Sequence, residues 1–120
     1  MRILIADDSD AVRRGVVRLI SSEAEWQICG EARNGSEAVE KARELLPDLI
    51  LLDISMPGMN GLEAARFLRQ EMPAVKIIVI SQHDSKHMLP QVIAAGGDGC
   101  VDKGQLGPEL VASIRKIESA

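Results

Sequence analysis

Three short, uninterrupted aliphatic runs constrain this chain most: ILIA at 3–6, LILL at 49–52 and IIVI at 77–80. Runs of this length, bounded by polar residues, suit strands covered on both faces of a parallel sheet. The segments between them change period. Val12, Val16, Leu19 and Ile20 repeat at helical spacing behind Ser9 and Asp10 as caps, and Ala38, Ala42 and Leu45 do so behind Ser36, stopping before Pro47. Leu62, Ala65, Leu68 and Met72 predict a third helix, opened by Asn60-Gly61 and closed by Pro73. Met88, Val92 and Ala95 mark a fourth, in which Pro90 is tolerable only near the first turn. Leu106, Leu110, Ile114 and Ile117 line a last helix with Pro108 near its start.

Two further strands are less regular. In EWQICGEA (25–32), Trp26, Ile28, Gly30 and Ala32 alternate with Gln27, Cys29 and Glu31, the pattern of a half-covered edge strand. GGDGCVDK supplies a short fifth strand at about 99–101. The order is βα five times over, which predicts one α/β domain spanning 1–120, a parallel sheet with helices on both faces and right-handed crossovers. With 120 residues, 46% of them hydrophobic, the chain is long enough to bury such a core.

Charge and composition narrow the partners. Net charge is −4, and the densest basic stretch, VRRGVVR, reads as a solvated helix face, so nucleic acid is not expected to bind this segment. The only aromatics, Trp26 and Phe67, make no stacking platform for bases. No run approaches a membrane span and the start, MRILIADDSD, is too short in apolar residues for a signal peptide, so a cytoplasmic protein without membrane contact is expected. Cys29 and Cys100 have no metal or redox spacing.

The polar residues at the carboxyl ends of the strands carry the chemistry. The first run ends in Asp7-Asp8, the third strand in Asp53 and the fourth in Ser81, while Lys103 follows the fifth. In an open parallel sheet, ligands bind at that edge. Singly, each residue has an ordinary explanation as a cap, a strand end or a surface lysine. Together they place three carboxylates, a hydroxyl and an ammonium on one edge. Two like charges about 4 Å apart repel by about 4 kcal/mol at an effective dielectric near 20. A divalent cation relieves that repulsion, and an all-oxygen ligand set favours Mg²⁺ (Mn²⁺ as an alternative) over Zn²⁺. Asp53 is then the candidate phosphoryl acceptor, forming an acyl phosphate, with Asp7 and Asp8 on the metal.

ILIADDSD, LILLDISMPGMNG, IIVIS and GCVDK resemble, in order and spacing, the signature segments of the response-regulator receiver domains of two-component signalling. The resemblance covers essentially the whole chain. It implies a flavodoxin-like sheet in the order 2-1-3-4-5, with Asp53 phosphorylated by a sensor histidine kinase and Mg²⁺ held by Asp7, Asp8, Asp53 and the backbone carbonyl of Ser55. Ser81 would be the switch hydroxyl and Lys103 the phosphate partner, with Pro57 and Gly58 shaping the loop after the acceptor. The signal would leave through the face made by the fourth helix, fifth strand and fifth helix, by homodimerisation or contact with an output. The stretch from Glu31 to Arg69 is similar to receivers joined to LuxR-type helix-turn-helix domains. A transcription-regulating output domain beyond Ala120 is therefore expected.

The sequence departs from the family at Cys100, three before the lysine, where many receivers carry Tyr or Phe. A smaller side chain there implies weaker coupling, or coupling through the fourth helix. Free cysteines are commonly buried and inert, a reading favoured over a redox switch at Cys100, and with Cys29 and Cys100 on opposite edge strands no internal disulfide is expected. Ser55 and His83 flank the expected site, where family members tune hydrolysis of the acyl phosphate; for His83 a solvated loop residue is the competing reading. A phosphohydrolase of the haloacid-dehalogenase kind also uses an Asp at a strand end, but it needs a second Asp where Ser55 stands. A degenerate, partner-binding receiver is opposed by the complete set of Asp7, Asp8, Asp53, Ser81 and Lys103. The chain is thus expected to be a phosphoacceptor, not an enzyme, that assists only its own phosphorylation and dephosphorylation.

Overall fold

A computed structural model describes residues 1–82 and 84–119. Five strands, β1 (Arg2–Ala6), β2 (Gln27–Ala32), β3 (Leu49–Asp53), β4 (Lys76–Ser81) and β5 (Gly99–Asp102), alternate with five helices. These are α1 (Asp10–Ser21), α2 (Gly35–Leu45), α3 (Gly61–Glu71), α4 (Ser85–Ala94) and α5 (Leu106–Ser119), the last entered through a 3-10 turn at Lys103–Gln105. All pairings are parallel and the sheet order is β2-β1-β3-β4-β5, the flavodoxin-like arrangement expected from the sequence.

The aliphatic runs are central because both of their faces are covered. Leu4, Ile50, Leu52, Ile77 and Val79 point into one core, closed by Ala38 and Ala42 of α2, Ala64 and Leu68 of α3, and Val92 of α4. Ile3, Ile5, Leu49, Leu51 and Ile78 point the other way, against Val16 and Ile20 of α1 and Leu110 and Ile114 of α5. Burying a side chain of this size fully is worth roughly 1.5–3 kcal/mol. The small residues of α2 and α3 let those helices lie close to the sheet; α1 and α5 meet it with larger aliphatics.

Four local expectations are corrected. First, β2 is covered on both faces: Ile28 packs into one core and Cys29 into the other. The pairing steps from Ile3–Ile28 to Leu4–Gly30, so Cys29 is the extra residue of a bulge and the simple alternation breaks there. Second, α2 is capped by Asn34, not Ser36, with the Asn34 side chain accepting from Glu37 N at 2.8 Å. Third, Pro90 is not in the first turn of α4 but in its middle, on the exposed side, where the missing N–H is tolerated because water can satisfy the orphaned carbonyl. Fourth, within VRRGVVR, Arg13 is buried, so that stretch is not wholly a solvated face.

The ends of α4 are held unequally. Its carboxyl end is fixed by Arg69 of α3, whose guanidinium donates to the carbonyls of Gly96 (2.9 Å), Pro73 (2.8 Å) and Val75 (2.7 Å) and to Asp98 Oδ2 (2.8 Å). Asp98 Oδ2 also accepts from Ile77 N at 2.8 Å, tying the same point to β4. The amino end rests on the Asp84 cap, and within the helix only Val92 is buried, leaving Ile93 57% exposed.

Glycine 61 positions the site. The first turn of α3 crosses the end of β3 so closely that a β-carbon at Gly61 would stand 2.3 Å from the Asp53 carbonyl oxygen. Gly61 N donates to Ile54 O at 3.0 Å, and a reciprocal Asn60–Glu63 capping box fixes the helix start. Gly61→Ala is expected to destabilise the domain by about 2 kcal/mol through overpacking. Gly15→Ala, in open space on α1, should instead stabilise it by about 0.5–1 kcal/mol. Urea denaturation of both variants checks the contrast.

Candidate functional site

The carboxyl ends of β1, β3, β4 and β5 meet at one edge, and the chemistry collects there. Asp53 is the last residue of β3, Asp7 and Asp8 follow β1, Ser81 ends β4, and Lys103 opens the 3-10 turn after β5. Asp7, Asp53 and Ser81 are buried and Asp8 is exposed, so Asp8 forms the rim and the other acids the floor. One carboxylate oxygen from each of Asp7, Asp8 and Asp53 lies within 4.8 Å of the others. Lys103 Nζ stands 3.2 Å from Asp53 Oδ1 and 3.5 Å from Asp7 Oδ2.

The two buried acids are each oriented by a backbone amide. Asp7 Oδ1 accepts from Ser9 N at 2.8 Å, in the turn that starts α1, and Asp53 Oδ1 accepts from Ser55 N at 3.3 Å. The loop after Asp53 is pinned by Met56, which is buried, and by Met59, whose carbonyl oxygen lies where a β-carbon on Gly35 would be, 2.3 Å away. Between them the chain reverses at exposed Pro57 and Gly58, and Gly58 has φ +73°, the conformation a turn of this kind asks of glycine.

Among the described residues, two buried side-chain oxygens have no hydrogen-bond partner, Asp7 Oδ2 and Asp53 Oδ2. Lys103 approaches Asp7 Oδ2 as an ion pair, leaving Asp53 Oδ2 the less compensated of the two. A buried, unsatisfied carboxylate oxygen is costly. Burial first, and then the neighbouring Asp7 charge, push the Asp53 carboxyl up to about 6, against the opposing pull of the Ser55 amide and Lys103. An oxygen-rich cluster with two unfilled buried acceptors fits a hard divalent cation of the Mg²⁺ type. Asp7, Asp8 and Asp53 are the side chains that could hold it.

A cavity of about 460 Å³ opens away from this edge, at the amino ends of the strands beside Leu46, Met72 and Ile117.

His83 lies outside the described residues. Cys100 lies on β5, half-buried against the core behind α4, and burial pushes its thiol up to about 11, so it is a poor nucleophile at neutral pH. Cys29 and Cys100 are both free, on the two opposite edge strands. No described helix is long and apolar enough to cross a membrane.

Sequence reasoning missed two residues that shape the site. Gly61 was legible only as a helix opener, not as the point where α3 meets β3. Arg13 is spaced i, i+3 and i+7 from the buried Val16 and Ile20, and that spacing on the core side of α1 was the available signal.

Comparisons with known proteins agree with this geometry. Residues 3–115 match the model of the response regulator receiver domain. The chain is 37% identical over 117 residues to the response regulator GacA of Pseudomonas viridiflava, covering 98% of this chain and 55% of that one. It thus spans about half the length of the curated relatives it matches. Among solved structures, a LuxR-family two-component response regulator from Aurantimonas sp. SI85-9A1 superposes with TM-score 0.91 at 34% identity, covering 97% of this chain and 83% of that one. The response regulator domain of Thermotoga maritima CheB does so with TM-score 0.90 at 30% identity, covering 100% and 97%.

The raised Asp53 carboxyl has a consequence for stability. The folded state takes up a proton near pH 6, where the unfolded chain, with its ordinary value of 3.8, does not. The charged group therefore opposes folding above pH 6, and its penalty fades as pH falls from 6 toward 4. In metal-free buffer Asp53→Asn is expected to stabilise the domain by about 1–2 kcal/mol at pH 7.5, with the gain shrinking at pH 5. Urea titrations at the two pH values read this directly.

Proposed function

The chain belongs to the response regulator receiver domain family, whose members are phosphorylation-based signalling domains, and on that premise we propose that Asp53 is its phosphoacceptor. The observation that carries the reading is the buried, unpartnered Asp53 Oδ2 at a strand end, beside Lys103 and two further acids. An Asp53 carboxylate oxygen attacks the phosphorus of a phosphohistidine on a sensor kinase. The P–N bond breaks, its electron pair returns to the imidazole, and an acyl phosphate forms. Asp7, Asp8, Asp53 and the Ser55 carbonyl would hold Mg²⁺, which when bound would neutralise charge on the transferring phosphoryl oxygens. Lys103 holds its ammonium where those oxygens gather and pairs with one of them, exchanging its contact with Asp53 for a contact with the product. Ser81, on the strand beside Asp53, is the hydroxyl that closes on the phosphoryl group.

The same rigid placement serves the reverse half of the cycle. Water attacks the acyl phosphate slowly, at a rate tuned by the side chains of Ser55 and His83, and no other substrate is turned over. The readout is the face formed by α4, β5 and α5. Cys100 cannot fill the space beside a displaced Ser81 as an aromatic ring would, so α4, lightly held at its amino end, carries more of the change. The LuxR-family likeness supports a DNA-binding output domain outside this chain, so that phosphorylation regulates transcription, by homodimerisation through the α4–β5–α5 face or by release of the output.

The test is intact mass after incubation with Mg²⁺ and acetyl phosphate, with a phosphorylated histidine kinase as second donor. One added phosphoryl group on the wild type, absent without Mg²⁺ and absent in Asp53→Asn, is the expected result. Failure with both donors would overturn the reading. A companion measurement addresses the departure at Cys100. Cys100→Tyr should accept phosphate as the wild type does but show a larger phosphorylation-dependent change in hydrogen exchange on α4, and an unchanged profile would count against the assignment.

A further inference from the structure

Arg13 is a buried cation outside the acid cluster, only 7% exposed, on the first turns of α1. Each of its three guanidinium nitrogens has a partner. Nη1 donates to the Asp7 carbonyl at 2.6 Å, Nε to Glu31 Oε1 of β2 at 3.2 Å, and Nη2 to Asp10. A charge withdrawn from water to this degree is costly unless it is paired and hydrogen-bonded, and here its partners span the end of β1, β2 and α1. The two acids that balance it are themselves largely exposed. The group brought out of water is thus the arginine, and the point it reaches is the Asp7 carbonyl.

That carbonyl belongs to the peptide joining Asp7 to Asp8. The peptide before it is fixed by Asp7 N donating to Ala32 O at 3.0 Å, and the Asp7 side chain by Ser9 N. Asp8 has no hydrogen bond or ion pair of its own among the described residues, so the backbone from which its side chain departs is held on this side by the Arg13 contact with the Asp7 carbonyl. We propose that Arg13 is a positioning residue for the Asp7–Asp8 acid pair: by clamping the peptide between them it sets the direction of both carboxylates toward a divalent cation. The proposal rests on the reading of that pair as metal ligands.

Positioning and simple electrostatics predict opposite signs. Arg13 is a cation near a cation site, so its loss should by charge alone tighten Mg²⁺ binding. Loss of a clamp should weaken it, commonly by about 10–100-fold for a residue that orients a metal ligand. Isothermal titration calorimetry of the unphosphorylated protein with MgCl₂ separates these without any phosphotransfer. Arg13→Met is expected to raise the Kd about tenfold or more. Arg13→Lys, whose point-like ammonium cannot reach three partners, should raise it about threefold. Val16→Ala, on the same buried face of α1, loosens the helix without touching Asp7 and should leave the Kd as in the wild type.

A wild-type or tighter Kd in folded Arg13→Met overturns the proposal, and so does an equal weakening in Val16→Ala, which would make the role merely structural. If Arg13→Met does not fold, Arg13→Lys decides on the same terms. Asp8→Asn tests the underlying reading separately. If the wild type binds no Mg²⁺, or if Asp8→Asn binds it as well as the wild type, the metal-ligand assignment fails and this inference fails with it.

Discussion

Asp7 and Asp53 lie almost wholly out of water, and an oxygen of each is within reach of the same Lys103 ammonium. At such separations each of these contacts amounts to about 4–5 kcal/mol at an effective dielectric near 20, before desolvation is counted. One cation between two anions leaves a deficit of positive charge, and no described hydrogen bond satisfies the second oxygen of Asp53. The site is therefore held together by the sheet and not by its own charges. The aliphatic strands, anchored by side chains in both cores, bring these groups to one edge and keep them there although their mutual repulsion favours separation.

Much of this was legible in the sequence, because the signals were of a kind that period and punctuation carry. Uninterrupted runs such as LILL specify strands covered on both sides, and the polar residue that ends each run has to lie at the sheet edge. The acids, Ser81 and Lys103 could thus be grouped without coordinates. The bulge at Cys29 could not, because it depends on how Gly30 meets Leu4 and Leu45 across elements distant in sequence. Gly61 and Arg13 were obscured for a related reason. A glycine that opens a helix and a glycine that admits a neighbouring strand look alike, and an arginine beside Arg14 on a helix looks solvated until its partners on β1 and β2 are known. Pro90 failed in the opposite direction: a local rule was applied where an exposed backbone could satisfy itself with water.

Among the α-helices, α4 has the fewest buried residues, Val92 alone. Arg69 ties its carboxyl end to α3, to the start of β4 and to the Asp98 loop, whereas among the described residues its amino end has the Asp84 cap. Exposed Ile93 and interior Pro90 reduce what is lost when it shifts. Elements with few buried apolar contacts open at low free energy. The fold has in this way concentrated its freedom in one helix, close to the end of β4 that carries Ser81, and kept the carboxylate floor stiff.

The wide sequence separation of Asp7, Asp53 and Lys103 has a consequence for how the chain matures. Both ion pairs of Lys103 are long-range, so their loop-closure entropy is met only when the late strands dock, and they contribute little while the early βα units are forming. Synthesis delivers the two acids well before the lysine, and a domain folds as a unit, which here requires the last strand. Until β5 joins the sheet, the anionic edge lacks its cation and the acid pair has nothing between it but water. Charge balance at the edge is thus a late event in folding, and a chain truncated before β5 retains Asp53 without the surroundings that hold it.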